Sequence, residues 1–124
     1  MREEYRVIIA GTRTFDDYGM LCRSADYWLS EKRTKRRIVI VSGAAKGADA
    51  LGERYARERG YKLQRYPANW EKYGRAAGPI RNEIMAQNAD ALIAYWDGRS
   101  HGTWNMIELA RNYGLKVRVK KYSS

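Results

Sequence analysis

The feature that most constrains this chain is the alternation of two periodicities along it. Residues 5–10 (YRVIIA), 38–41 (IVIV) and 91–95 (ALIAY) are short apolar runs, and between them apolar residues recur at three- and four-residue spacing. A run that stays apolar, rather than alternating with polar residues, is what a strand needs when helices cover both faces of its sheet. Residues 62–66 (KLQRY) and 115–119 (LKVRV) complete a set of five strands. In the last, Val117 and Val119 alternate with Lys116, Arg118 and Lys120, which suits a sheet edge protected by charge.

Four helical segments fall between the strands. The first carries Tyr18, Leu21, Cys22, Ala25, Trp28 and Leu29 after a cap at Asp16 or Asp17. The second buries Ala48, Leu51, Tyr55 and Ala56 and turns Glu53, Arg54, Arg57 and Glu58 outward. The third opens at Gly78-Pro79 and buries Ile80, Ile84 and Met85. The fourth uses Thr103, Met106, Ile107, Ala110 and Tyr113. Gly60 and Gly114 stand where left-handed C-caps end a helix before a strand. Strand–helix alternation of this kind predicts an α/β fold: one Rossmann-like three-layer domain over residues 1–124, with a five-stranded parallel sheet in the order 3-2-1-4-5. A chain of 124 residues is enough for one such core.

Several function classes are excluded early. The longest apolar run, residues 91–96, is far too short to span a membrane. The N-terminal MREEYRVIIAG has acids and a strand-like run where a secretion signal needs a long apolar stretch, so a cytoplasmic location is expected. One cysteine (Cys22) and one histidine (His101) imply neither an internal disulfide nor a His/Cys metal site, and no cofactor is indicated. The net charge of +10 suggests an anionic partner. Residues 31–37 (EKRTKRR) and 116–121 (KVRVKK) carry +8 of it. The first lies at the amino end of the sheet and the second along its edge, so neither is expected to line a site at the carboxyl edge. Solubility and edge protection account for them as well as nucleic acid does.

Five of the eleven glycines fall just after strands one, two and four: Gly11, Gly43, Gly47, Gly98 and Gly102. In an open parallel sheet those loops share the carboxyl edge, where ligands bind at the topological switch point. Glycine there lets backbone N–H groups approach a phosphate, and the following helix N-terminus favours negative charge. One such loop is ordinarily just a tight turn; three, with Thr12, Ser42, Ser100 and Thr103 among them, indicate an anion-binding crevice. Neither GxGxxG nor Gly-Lys-Ser/Thr is present, which argues against a standard dinucleotide fold and a P-loop.

Residues 7–15 (VIIAGTRTF), 41–52 (VSGAAKGADALG), 67–82 (PANWEKYGRAAGPIRN), Met85 and 89–103 (ADALIAYWDGRSHGT) closely resemble the YspA-type, cpYpsA-related SLOG family. That family lies in the Rossmann-like superfamily of the LOG phosphoribohydrolases and the DNA-processing protein DprA/Smf. The resemblance runs over nearly the whole chain and implies a sensor or processor of nucleotide-derived ligands, of a kind associated with phage conflict and signalling. Carried over by position, it implies a pocket of Gly11, Thr12 and Arg13; Ser42, Gly43, Ala44, Lys46, Gly47, Ala48 and Asp49; Arg81 and Asn82; and Trp96, Asp97, Gly98, Ser100, Gly102 and Thr103. SGAAKGAD is similar to the SGxAxGxD of DprA, which binds single-stranded DNA. GRSHGT occupies the place of the PGGxGTxxE motif of LOG enzymes, but the glutamate position is Met106. Glu108 lies roughly 200° further around a helix and cannot replace it.

Arg81 falls in the first turn of a helix, where a cation opposes the dipole unless a bound anion compensates. Lys46 either contacts a phosphate or is solvated, and Arg13 is an ordinary loop arginine that the pocket would use. Asp49 reads as a helix-start residue. Asp97 is the catalytic candidate, as a ribose-hydroxyl acceptor or general base, although a lone turn carboxylate is more often structural. His101 reads as incidental, Trp96 and Trp70 as base-stacking or pocket-sealing residues, and Trp28 as core.

Three readings follow. The first is a module that binds a nucleotide or a nucleotide sugar of ADP-ribose type, with hydrolysis of an N-glycosidic or phosphate bond left open. The second is a DprA-like nucleic-acid binder, steeply salt-dependent and dependent on the bases at 32–37. The third is a scaffold with a vestigial pocket. A homodimer is plausible from the family and from exposed aromatics such as Tyr73.

Overall fold

The computed structural model describes residues 3–123. The chain runs β1 (Glu4–Gly11), α1 (Tyr18–Leu29), α2 (Lys32–Lys35), β2 (Arg37–Ser42), α3 (Ala48–Arg59), β3 (Lys62–Arg65) and α4 (Trp70–Tyr73). A 3₁₀ turn (Gly74–Ala76) leads into α5 (Ala77–Gln87), β4 (Ala91–Trp96), α6 (His101–Asn112) and β5 (Lys116–Lys121). The five strands are parallel in the order β3-β2-β1-β4-β5. The order reverses at β1, whose neighbours β2 and β4 send their outgoing connections to opposite faces, and this opens a crevice at the carboxyl edge.

The apolar runs are covered on both sides, as their composition requires. Val7 and Ile9 point with Ile38, Ile40 and Ile93 into a core closed by Leu21, Ala25 and Leu29 of α1 and by Ala48, Tyr55 and Ala56 of α3. Ile8 and Ala10 point the other way with Val41, Leu92 and Ala94, onto Met85 and Ala86 of α5 and Met106, Ile107 and Ala110 of α6. The first layer is tied by Asp26, which accepts from Tyr55 Oη (2.6 Å) and from Nε and Nη2 of Arg59 (3.0 and 2.9 Å). Among the described residues no helix is long and apolar enough to cross a membrane.

Boundaries and faces differ from expectation in a few places. Asp17, not Asp16, caps α1, accepting from Met20 N–H at 3.0 Å. Helix α5 begins at Ala77, two residues early, so Pro79 sits third in its first turn, where no intrahelical bond is lost. Ile84 and Tyr113, expected in the core, are exposed. Tyr113 is held on the surface by hydrogen bonds to Glu83 (2.8 Å) and from Gln87 (3.0 Å). Glu53, expected on the outer face of α3, is buried. It accepts from Ser42 Oγ (2.7 Å) and Arg65 Nε (3.1 Å), which makes its burial tolerable. The short helices α2 and α4 carry no amphipathic period and were invisible to it.

Candidate ligand-binding site

A cavity of about 390 Å³ opens at the carboxyl edge, between the ends of β1 and β2 and the first turns of α3, α5 and α6. Its apolar wall comes from Ala10, Met85 and Met106, and Trp70 of α4 stands at its mouth. Polar groups enter from four directions. Arg13 follows β1, Asp49 opens α3, and Arg81 and Asn82 lie in the second turn of α5, not the first turn expected for Arg81, because the helix starts at Ala77. The fourth group is the start of α6, where Ser100 caps the helix by accepting from Thr103 N–H (3.4 Å) and His101, Gly102 and Thr103 follow. The first amides of α6 have no acceptor inside the helix and carry its positive dipole end.

A wider groove adjoins this cavity and shares Arg13, Ala45, Trp70 and Arg81 with it. Gly43, Ala44 and Lys46 line the groove together with Pro67 and Ala68. Arg13 lies 5.9 Å from the centre of the Trp70 ring, in cation–π range at the seam between the two spaces.

Arg81 is the most constrained charge in the site. Its Nη1 donates to the Gly43 carbonyl, and its Nε donates to Asn82 Oδ1 at 2.9 Å. Burial lowers its affinity for the proton, and the nearby Asp49 charge opposes that effect. Asp49 is itself buried and accepts from Ala45 N–H at 3.1 Å. Burial pushes its carboxyl up to about 6, against the pull of the Ala45 N–H and of Arg81.

Of the residues expected in the pocket, Gly11, Arg13, Asp49, Arg81, Asn82, Ser100, Gly102 and Thr103 meet in the cavity. Gly43, Ala44 and Lys46 line the adjoining groove, and the others build the loops behind the cavity. Thr12 is buried; its carbonyl accepts from Phe15 and Ala48 N–H, and its Oγ1 accepts from Asp97 N–H. Gly47 (φ 72°) packs its Cα against the Thr12 and Arg13 carbonyls, where any Cβ would clash, and Ala48 is core. Ser42 is buried and turned toward Glu53, while also accepting from Ala44 N–H at 3.0 Å. The Ala44 and Ala45 amides, the natural phosphate cradle of this loop, are therefore engaged by Ser42 and Asp49. The cationic and helix-start groups that border the cavity are instead the arginines and the start of α6.

Asp97 builds an Asx turn. Its Oδ1 accepts from the N–H groups of Arg99 (2.8 Å) and Ser100 (2.9 Å), which hold its carboxyl below the usual range. It does not border the cavity, and neither do Trp96 and Gly98. Trp96 stacks on Trp104 (5.5 Å) and donates from Nε1 to the Ser100 carbonyl (3.1 Å). Gly98 (φ 84°) lies under Lys121, whose Nζ is 6.0 Å from the Trp96 ring. The C-terminal basic run thus does reach the carboxyl edge at its last residue. Parallel pairing of Trp96 with Lys121 carries it there, but to the back of the loop rather than the cavity. The bases at 33, 36 and 37 line a separate groove at the amino end, with Tyr61 and Lys62.

Several lining residues escaped sequence reasoning, Ala10, Gly78 and Pro79 among them. Met85 and Met106 look like ordinary core positions, and Asn105 has no local signal. His101, taken as incidental, is the first residue of α6 at the cavity rim.

Comparison with known proteins places this geometry in context. Residues 5–73 match the family described as YspA, cpYpsA-related SLOG. The chain is 33% identical over 118 residues to the Gene 61 protein of Mycobacterium phage D29, covering 90% of this chain and 93% of that protein. Its fold is similar to the DNA processing protein A of Streptococcus pneumoniae (TM-score 0.69, 21% identity), covering 94% of this chain and 50% of that one. It is also similar to that of Helicobacter pylori, described for its single-stranded DNA binding mode (TM-score 0.64, 21% identity; 93% and 64% covered). A third similar fold is TM1055 (TM-score 0.62, 20% identity; 94% and 72% covered). This chain spans half of the first DNA processing protein and less than two thirds of the second.

Proposed function

Because this chain belongs to the YspA, cpYpsA-related SLOG family, we propose that its carboxyl-edge cavity is the receptor for a nucleotide or nucleotide-derived ligand. The observation that carries this reading is the convergence of Arg13, Arg81 and the first turn of α6 on a cavity also lined by Ala10, Met85 and Met106. The cationic lining suits a phosphoryl group and the apolar lining a base or ribose. A volume of about 390 Å³ falls within the range of small-ligand sites. Trp70, at the mouth beside Arg13, is placed to cover a planar ring.

Binding, rather than glycosidic hydrolysis, fits the residues present. Met106, buried in the cavity wall, occupies the position of the glutamate in the LOG motif. Asp49 is the one carboxylate among the described residues lining the cavity, and its hydrogen bond from Ala45 N–H gives it a structural task.

The experiment is thermal protection by AMP, ADP, NAD, ADP-ribose and UDP-sugars at moderate salt. A ligand at about 100 times its Kd adds roughly 2.7 kcal/mol. Protection by one class, lost in Arg81→Ala, supports the reading; no protection by any member overturns it.

Single-stranded nucleic acid is a second reading, favoured by the net charge of +10 and the fold shared with the DNA processing proteins. The two readings separate in space. The basic groove of Arg36, Arg37 and Lys62 is at the amino end of the sheet, opposite the cavity. Affinity for a labelled oligonucleotide that falls steeply with salt, and that Arg37→Glu with Lys62→Glu removes, supports it; affinity indifferent to salt excludes it.

A further inference from the structure

Two side-chain amides beside Arg81 have their orientations dictated by their partners, and together they determine what kind of group the cavity accepts. Arginine has donors and no acceptor, so the Asn82 atom 2.9 Å from Arg81 Nε must be its oxygen. The other end of the Asn82 amide is then the nitrogen. It faces the Gly102 carbonyl at 3.4 Å, which only accepts, and the two assignments agree. The same nitrogen donates to Asn105 at 2.9 Å, so the Asn105 atom it meets is Oδ1. Asn105 borders the cavity, and among the described residues no acceptor is paired with its Nδ2.

From this chain of bonds, and resting on the nucleotide reading above, we propose that Asn105 is a specificity residue. It presents its Nδ2 to a ligand group that has acceptors and no donor, namely a phosphoryl group. Arg81 starts the relay, Asn82 passes its polarity on, and Asn105 displays it. Its neighbours, the Arg81 guanidinium and the His101 and Gly102 amides at the start of α6, are also donors. A ligand hydroxyl meets these three groups only as an acceptor, whereas phosphoryl oxygens match all of them.

The test is the ratio of affinities for AMP and adenosine, measured by calorimetric titration, with NAD as a probe whose diphosphate bridges two nucleosides. Asn105→Leu removes the donor without adding charge. It should weaken AMP about tenfold or more and leave adenosine nearly unchanged. Asn105→Asp keeps the acceptor for Asn82 but points a charged acceptor at the ligand, and the loss for AMP should be larger still. Asn82→Asp keeps the acceptor for Arg81 but has no donor for Asn105, so the Asn105 amide turns over and AMP weakens although Arg81 and Asn105 are both intact. Whichever of AMP and NAD loses more identifies a terminal or a bridging phosphate as the group read. Equal losses for AMP and adenosine, or an unchanged ratio in all three variants, overturn the assignment. Wild-type protein that binds neither AMP nor NAD overturns the nucleotide reading itself, and this is seen before any variant is made.

Discussion

Arg81 and Asp49 meet over Gly43. Nη1 of the arginine and Oδ2 of the aspartate lie 2.6 and 2.8 Å from the point where a Cβ would stand on that glycine. The guanidinium also donates to the Gly43 carbonyl, and the carboxylate is bonded to Ala45 N–H. The bare Cα is what lets a cation from α5 and an anion from α3 reach the same stretch of loop.

Gly43→Ala should therefore act on binding more than its single methyl suggests. Both intruding side chains are anchored at other points, so accommodation means breaking one anchor. The expected cost is about 1–3 kcal/mol of stability, with nucleotide protection lost as Arg81 is displaced. A thermal melt with and without ligand measures both. An unchanged melt and unchanged protection would show that Arg81 is free to move.

The raised Asp49 carboxyl makes a signed prediction for pH. Its folded value of about 6 lies above the ordinary 3.8, so the folded protein holds this proton more tightly than the unfolded chain does. The folded state is favoured while Asp49 is protonated, and that contribution is lost as pH rises from about 4 through about 6. Asp49→Asn keeps an acceptor for Ala45 and removes the buried charge. It should stabilise the protein by about 1–3 kcal/mol at pH 7.5 and far less at pH 4.5. Urea midpoints at the two pH values decide it, and a gain independent of pH counts against the assignment.

The same group should tune anion binding. On the nucleotide reading, a ligand phosphate would share the cavity with Asp49, Arg81 and Arg13. Protonating Asp49 removes the one negative charge among them. NAD, whose diphosphate keeps its charge across this range, should bind more tightly at pH 5.5 than at pH 7.5, by about two- to tenfold. Repeating the titration with Asp49→Asn checks the assignment: the pH dependence should disappear with the carboxyl group.

Ala44 is the one non-glycine residue among those described with a positive φ, at 63°. An L-residue there is strained, and Ala44→Gly relieves the strain while adding freedom to the unfolded chain. The expected net effect is a gain of about 0.5–1 kcal/mol, seen as a melting temperature a few degrees higher.

Ser42 offers the contrasting case. Its hydroxyl serves two buried groups at once, donating to Glu53 and accepting from Ala44 N–H. Ser42→Ala leaves both short of a partner and should cost about 1–3 kcal/mol, without changing the nucleotide preference. A variant that lost binding at full stability would instead place Ser42 in the ligand site.

Much of this was legible in advance. The unbroken apolar runs at 7–10, 38–41 and 91–95 marked buried parallel strands, because a strand covered on both faces has no polar side to show. The glycines at 11, 43 and 102 marked the edge that carries the cavity, whereas Arg81, read as a first-turn cation, falls in the second turn because α5 begins at Ala77. The misreadings share one cause. Glu53 has the spacing of an outward helix residue, yet Ser42 and Arg65 wait for it in the core. Ile84 has the spacing of an inward one, yet nothing covers it. Thr12, Ser42 and Asp97 have the chemistry of ligand contacts and hold loop backbone as well: Thr12 accepts from Asp97 N–H, Ser42 from Ala44 N–H, and Asp97 from Arg99 and Ser100 N–H.

By itself, then, the sequence determined the five strands, the four longer helices, the parallel pairing and the edge that carries the cavity, because periodicity and glycine placement act over a few residues and are written locally. Tertiary structure decided which polar groups line that cavity. Asn105 becomes an exposed donor only because Asn82, 23 residues earlier, has its oxygen claimed by Arg81. Asp49 becomes a group titrating near 6 only because burial at the crevice strips its water. Hydrogen-bond direction and desolvation are properties of neighbours in space, and no spacing along the chain encodes them.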